Sequence, residues 1–247
     1  MSNQSDLAVL LQDARVAEAM DIPNTSGLRS RIGMRNYLRI AGEVSAGSSG
    51  LILDWGAGYG QMAWLLERRG MKAICYDVGP PTIDPLLQSS QGLRRVAGSH
   101  PVDLPFRSGV FDAALSCGVL EHVPEPEASL HELFRVLRPG GRLFIYNLPQ
   151  KRSYKELVIR KLKLGYAHEN TFTVASTTAL LKRHGFRVLR SRRGGFLPHS
   201  LTGIPQRVKS AYNSVWPAAY LADRGLASVP LLNRIAEAVE IVAERPG

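Results

Sequence analysis

Asp54-Trp55-Gly56-Ala57-Gly58-Tyr59-Gly60 sets three glycines at alternate positions directly behind an acid. Such a run lets backbone approach a ligand closely, because no side chain stands in the way. A second acid, Asp77, follows 23 residues after Asp54. A carboxylate at about that interval suits vicinal hydroxyls, since it can accept a hydrogen bond from each. Elsewhere His122, His168 and His199 offer imidazoles able to take a proton near neutral pH. The residue types therefore describe a cradle for a nucleoside-bearing cofactor and a small set of candidate bases.

The flanking segments supply the elements that must position these groups. Leu51-Ile52-Leu53 is apolar throughout, as expected of a central parallel strand buried on both faces. Residues 61–69 resume with helical spacing, and Gly70 is placed to end the helix. Met71 to Asp77 reads as a second short strand. Strand, glycine loop and helix N-terminus together make a binding site for a nucleotide-like ligand. A dinucleotide fingerprint would place its third glycine where Gln61 stands, which argues against a nucleotide-dependent oxidoreductase.

Further along, Asp103-Leu104-Pro105-Phe106 leads into Phe111-Asp112-Ala113-Ala114-Leu115-Ser116-Cys117-Gly118-Val119-Leu120-Glu121-His122-Val123. Then comes Arg135-Val136-Leu137-Arg138-Pro139-Gly140-Gly141. With the glycine loop, this succession resembles the class I S-adenosylmethionine-dependent methyltransferases, and within them the small-molecule group with "LPF…FD", "VLEHV" and "RVLRPGG" segments. The resemblance runs from about Gly50 to about Phe186. It implies an α/β, Rossmann-like fold: a seven-stranded, mostly parallel sheet with helices on both faces. It also implies S-adenosyl-L-methionine as cofactor, held by Asp54, Gly56, Ala57, Gly58 and Gly60, with Asp77 and Val78 on the ribose side. Cys117 and Gly118, at the end of the fourth strand, would line the methionine end. Relatives often read "GDAxxLPF", whereas this chain has Ser99-His100-Pro101 before Leu104, so Ser99 and His100 become the expected adenine contacts. Pro101 has no N–H to offer.

Transfer to a hydroxyl requires removal of its proton. His168, in a loop expected after the fifth strand with Tyr166 and Glu169 as helpers, is the first candidate base, followed by His122 and His199. A purely structural role for His122, bonding backbone to fix its loop, stays open. Adenine N6 or cytosine N4 methylation is argued against, because Cys117-Gly118-Val119-Leu120 replaces the expected Pro-Pro-aromatic run. The expected activity is methyl transfer to an oxygen of a small, lipid-linked or glycan-linked acceptor. A small-molecule N-methyltransferase and a catalytically silent binding protein are the alternatives.

Composition fits one large α/β domain: 247 residues, 45% hydrophobic. Charge is uneven, with seventeen Lys and Arg between Arg135 and Tyr212 against only Glu156 and Glu169. Such a surplus suits an anionic acceptor, peripheral contact with an anionic membrane or nucleic acid, or is simply a solvated face; nucleic acid is the partner not expected, since the base-methylation motifs are missing. No apolar run approaches the roughly 18 residues of a spanning helix. The first residues lack the pattern of a signal peptide, and Cys75 and Cys117 form neither a disulfide framework nor a metal-spaced cluster, so a cytoplasmic location is expected. No His, Cys and Asp arrangement suggests zinc, and no metal site is expected. Residues 1–46 are expected to form a helical cap and 47–247 the main domain, with 194–236 an insertion able to cover the acceptor. Tyr212, Trp216, Tyr220 and Leu226 are its candidate cover residues. Thr173 is expected to cap a helix ending at Gly185, and Pro139-Gly140-Gly141 to form a turn before the fifth strand.

Overall fold

The computed structural model describes residues 3–23, 25, 28, 30–79, 84–162, 168, 170–199 and 205–247. Helices α1 (Asn3–Ala19) and α2 (Arg31–Gly47) precede strand β1 (Leu51–Trp55). Helix α3 (Gln61–Glu67), strands β2 (Lys72–Val78), β3 (Arg94–Gly98) and β4 (Phe111–Cys117), and helix α4 (Pro126–Val136) follow. Strand β5 (Leu137–Pro149), helices α5 (Tyr154–Leu162) and α6 (Val174–Arg183), and strand β6 (Arg187–Gly194) come next. Three helices, α7 (Gln206–Ser214), α8 (Trp216–Ser228) and α9 (Pro230–Asn233), separate β6 from β7 (Ala238–Glu244).

The seven strands lie in the order β3-β2-β1-β4-β5-β7-β6, parallel except for β7, which runs antiparallel to both neighbours. Alternate residues along β1 go to opposite faces, as a buried strand requires. Ile52 joins Ala63, Leu65 and Leu66 of α3 and Leu38, Ala41 and Val44 of α2. Leu53 and Trp55 join Leu130 and Leu133 of α4 and Leu180 and Leu181 of α6. The chain winds outward from β1 through β2 to β3, then returns to place β4 on the other flank of β1. That reversal of strand order opens a crevice at the C-terminal end of β1, where the glycine loop lies.

Local signals account for most helix boundaries. The Thr173 side chain accepts from Ser176 N at 3.0 Å, the Ser176 hydroxyl accepts from Thr173 N at 2.9 Å, and this capping box starts α6. Ser30 caps α2 by accepting from Gly33 N at 3.2 Å. Helix α1 is tied to the sheet layer by charge: Asp6 pairs with Arg68 and Arg69, and both carboxylate oxygens of Asp13 accept from Gln88 N and Ser89 N at 2.8 Å.

Three expectations need correction. Pro139-Gly140-Gly141 does not form a separate turn before the fifth strand. Strand β5 already begins at Leu137, and residues 138–141 bulge out as pairing jumps from Phe111↔Leu137 to Ala113↔Arg142. The bulge is held by Arg245, whose N–H donates to Gly141 O while its carbonyl accepts from Gly140 N. The segment carrying His168 does not follow the fifth strand directly, because α5 intervenes; its mixed basic and apolar residues read as a charge cluster rather than a helix. Residues Phe186 to Arg190 read from sequence as the sixth strand, whereas β6 runs from Arg187 to Gly194, since pairing with β7 continues to Gly194↔Ala238.

Candidate functional site

The glycine loop is drawn tight by its surroundings. Gly56 N and Ala57 N both donate to Tyr76 O, at 2.8 and 3.1 Å, and Gly60 N donates to Ala57 O at 2.8 Å. From outside, Arg95 donates to the carbonyls of Gly58 (3.0 Å) and Tyr59 (2.7 Å). Asp77, at the end of β2, accepts from Gly58 N and from Val78 N, each at 2.8 Å. The two acids of the spaced pair thus face one loop from neighbouring strands. Asp54 is buried and accepts from Ala63 N in the first turn of α3 at 3.0 Å.

Burial and the nearby Asp77 push the Asp54 carboxyl up from 3.8 to about 7, against the bond from Ala63. The folded protein therefore holds a proton that the unfolded chain releases, and stability is lost as pH rises between those values. In the ligand-free protein, Asp54→Asn should remove this part of the slope. The variant's melting temperature should gain on that of the parent as pH climbs from about 4 to about 7, then track it. Parallel curves across that window would show that Asp54 is ionised throughout.

Beside the loop lies a cavity of about 310 Å³ bounded by Trp55, Gly56, Tyr76, Asp77, Val78, Pro101, Val119, His122, Val123 and Pro124. Its apolar walls and single acidic edge suit a flat ring system joined to a hydroxylated sugar. An added Cβ on Gly58 would meet nothing within 4 Å, so the space above that residue is open. These features fit the expected nucleoside-bearing cofactor, with Gly56, Asp77 and Val78 on the cavity wall. Pro101, rather than its neighbours Ser99 and His100, reaches the cavity. The backbone carbonyl of His100 accepts from the Tyr76 hydroxyl at 2.7 Å, and its ring accepts from Val102 N.

At the end of β4, Gly118 N donates to Tyr146 O at 3.0 Å and the Cys117 thiol accepts from Asn147 Nδ2 at 3.2 Å. Burial, with Asp54 and Glu121 nearby, drives the Cys117 thiol far up, so it stays protonated. Asn147 holds a left-handed backbone conformation (φ 57°) and accepts from Asn36 of α2 at 2.9 Å. Tyr37, half-buried near Cys117 and Asp54, also keeps its proton.

His122 and His168, far apart in sequence, meet here with ring centroids 5.7 Å apart. His168 Nδ1 lies 2.6 Å from Glu156 Oε1, a buried carboxylate on α5. Glu121 is buried beside His122, and burial raises its carboxyl to about 7. Burial and the neighbouring His168 lower the His122 imidazole. Sequence reasoning missed Glu121 and Glu156. Glu121 had a signal in its place beside His122, but Glu156 becomes visible only once α5 turns it toward His168. Tyr166 and Glu169, named as helpers, lie outside the described residues.

His199 lies elsewhere, with Nε2 3.3 Å from Asp223 Oδ2 of α8 and its backbone N–H directed to Glu237. Despite burial, which lowers it, the bond to Asp223 raises its imidazole. The insertion leans on α2: Arg35 lies 4.9 Å over the Trp216 ring, and Arg31 N donates to Asn213. Much of the basic surplus is internally matched. Arg39, Arg190 and Arg192 share Glu43 and Glu240, Lys155 pairs with Glu237, and Arg187 with Glu244. No helix among the described residues is long and apolar enough to cross a membrane.

Residues 53–145 match the family described as a methyltransferase domain. A tRNA U34 carboxymethyltransferase of Methylococcus capsulatus is 32% identical over 169 residues, 62% of this chain and 50% of that protein. A ubiquinone biosynthesis O-methyltransferase of Xanthomonas oryzae pv. oryzae is 32% identical over 106 residues, 39% of this chain and 42% of that protein. The chain therefore spans half or less of the length of these curated relatives. A solved S-adenosylmethionine-dependent methyltransferase from Thermotoga maritima, 18% identical, superposes with a TM-score of 0.61 over 96% of this chain and 99% of that one.

Proposed function

From the premise that residues 53–145 are a methyltransferase domain on the class I S-adenosylmethionine-dependent fold, we propose that the protein methylates an oxygen of a small acceptor. The observation that carries this reading is that Gly56 of the glycine loop, Asp77 and His122, whose ring lies 5.7 Å from that of His168, line one cavity. When bound, S-adenosylmethionine supplies an electrophilic methyl group and leaves as S-adenosylhomocysteine. This chain's residues hold the cofactor, orient the acceptor and take its proton.

Gly56, Ala57, Gly58, Gly60 and Asp54 shape the loop, Asp77 and Val78 take the ribose, and Cys117 and Gly118 border the methionine end. Pro101, which lines the cavity, takes the adenine side in place of Ser99 and His100. His168 is the leading base. Glu156, 2.6 Å from Nδ1, fixes the ring's orientation, and the acceptor proton would pass to Nε2. His122 is the second base, and His199, held by Asp223, the third.

Oxygen as the accepting atom is supported by the named chemistry of the Xanthomonas relative. An anionic or lipid-linked acceptor is supported by Lys151, Arg152 and Lys161, which have no ion pair among the described residues, and by exposed Leu157 and Val158 on α5.

Asp77→Ala tests the cofactor half. Removing hydrogen bonds worth about 1.5–3 kcal/mol to a charged group should weaken S-adenosylmethionine binding by roughly ten- to a hundredfold in calorimetry. Unchanged affinity would take Asp77 out of the site. Labelled methyl donor incubated with fractionated cell extract should mark the acceptor, and the position of label shows whether oxygen or nitrogen is methylated.

A further inference from the structure

We propose that Glu121, His122 and His168 bind a divalent transition-metal cation, with Glu156 orienting His168 from behind. One ligand atom from each of the three residues lies within 4.8 Å of the other two. His122 Nε2 is 3.9 Å from Glu121 Oε1. In a tetrahedral shell with bonds of about 2.0–2.2 Å, ligand atoms sit roughly 3.3 Å apart. The triangle therefore closes on an ion with shifts of about an ångström, and His122, half exposed, has room to rotate.

A second observation points to a ligand independently of the spacing. Glu121 is only 5% exposed, and its Oε2 has no hydrogen-bond partner among the described residues. A buried carboxylate oxygen left unmatched is costly, and a cation is the partner that satisfies it best. Its other oxygen lies 3.7 Å from where a Cβ on Gly118 would stand, so the carboxylate faces the end of β4 beside the cofactor cavity.

The arrangement behind the triad has the form found around metal-bound imidazoles. A ligating histidine commonly gives its other ring nitrogen to a carboxylate, which fixes the tautomer and increases ligand basicity. Glu156 Oε1, 2.6 Å from His168 Nδ1, is placed for this role, with Nε2 as the atom that would ligate. Two imidazoles and one carboxylate suit zinc, iron or manganese rather than magnesium, which prefers an all-oxygen shell. Three protein ligands leave at least one position open, and His122 lines the cavity, so that position faces the space where the acceptor enters.

On this reading His168 and His122 are ligands in place of bases, and the proposal rests on the proposed function only for the acceptor: the cation would hold the acceptor oxygen and favour its ionised form. Cation binding itself needs neither cofactor nor acceptor.

The full chain, stripped with chelator, is titrated with Zn²⁺ and with Mg²⁺ by calorimetry, and with Co²⁺ by visible absorption. One Zn²⁺ per chain and a Co²⁺ spectrum of nitrogen and oxygen ligation are expected, with Mg²⁺ at least tenfold weaker. His168→Ala and Glu121→Gln should each abolish that site. Glu156→Gln should keep it but weaken it by about 10–100-fold. Circular dichroism and S-adenosylmethionine affinity confirm that each variant is folded. No saturable binding, or binding equal in parent, His168→Ala and Glu121→Gln, would overturn the proposal while leaving methyl transfer itself standing. A thiolate charge-transfer band in the Co²⁺ spectrum would do the same, by placing the ion on a cysteine.

Discussion

Gly58→Val is expected to lower S-adenosylmethionine affinity by at least about a hundredfold, or ~2.8 kcal/mol, in a protein that still folds. Two facts separate binding from folding at this position. An added Cβ meets nothing within 4 Å, so no neighbour must move. The backbone is left-handed (φ 53°), which costs a branched residue about 1–2 kcal/mol and should lower the melting temperature by roughly 2–8 °C. On the proposed reading the cofactor approaches the loop through the open space above Gly58, which an isopropyl group would fill. The flanking glycines lack this selectivity. A Cβ on Gly56 would stand 2.5 Å from the methyls of Val119, and one on Gly60 2.3 Å from Leu93 Cδ1. Substitutions there should lose fold and binding together. Calorimetry giving Gly58→Val the parent's affinity would move the cofactor away from this loop.

What the sequence made legible, and what it hid, divides along the range of the forces involved. The continuous apolar run Leu51-Ile52-Leu53, the glycines and the 23-residue interval to Asp77 are local signals, and the structure unites the last two through the Asp77–Gly58 bond. The Thr173 cap was readable for the same reason, since a capping box is complete within four residues. Glu156 was hidden because its role exists only after α5 carries it to His168, twelve positions away. Helix α5 itself was masked by its composition: Lys155, Arg160 and Lys161 read as a charge run, while Leu157 and Val158 remain exposed and leave no strong apolar stripe. Total charge misled in a related way. A count cannot show that Arg190 and Arg192 meet Glu43, almost 150 residues earlier, across the sheet edge.

His168→Ala should lower turnover by roughly 10²–10⁴-fold with S-adenosylmethionine affinity near that of the parent. The expectation rests on the contact between His168 and buried Glu156 and on the 5.7 Å approach of its ring to His122, which lines the cavity. An alanine removes the imidazole and strands the Glu156 carboxylate, so the loss should reach the chemical step whether the ring takes the proton itself or holds a cation that assists its release. Glu156→Gln should fall less, because the ring survives and only its orientation and charge stabilisation are weakened. The two routes separate on one further measurement. Added imidazole should restore part of the activity of His168→Ala if the ring acts as a base, whereas chelator should silence the parent if a cation is required. Full turnover in His168→Ala would remove the residue from the reaction and leave His122 and His199 as bases to test. Loss of cofactor affinity along with turnover would instead mean that His168 and Glu156 brace the cavity wall behind His122.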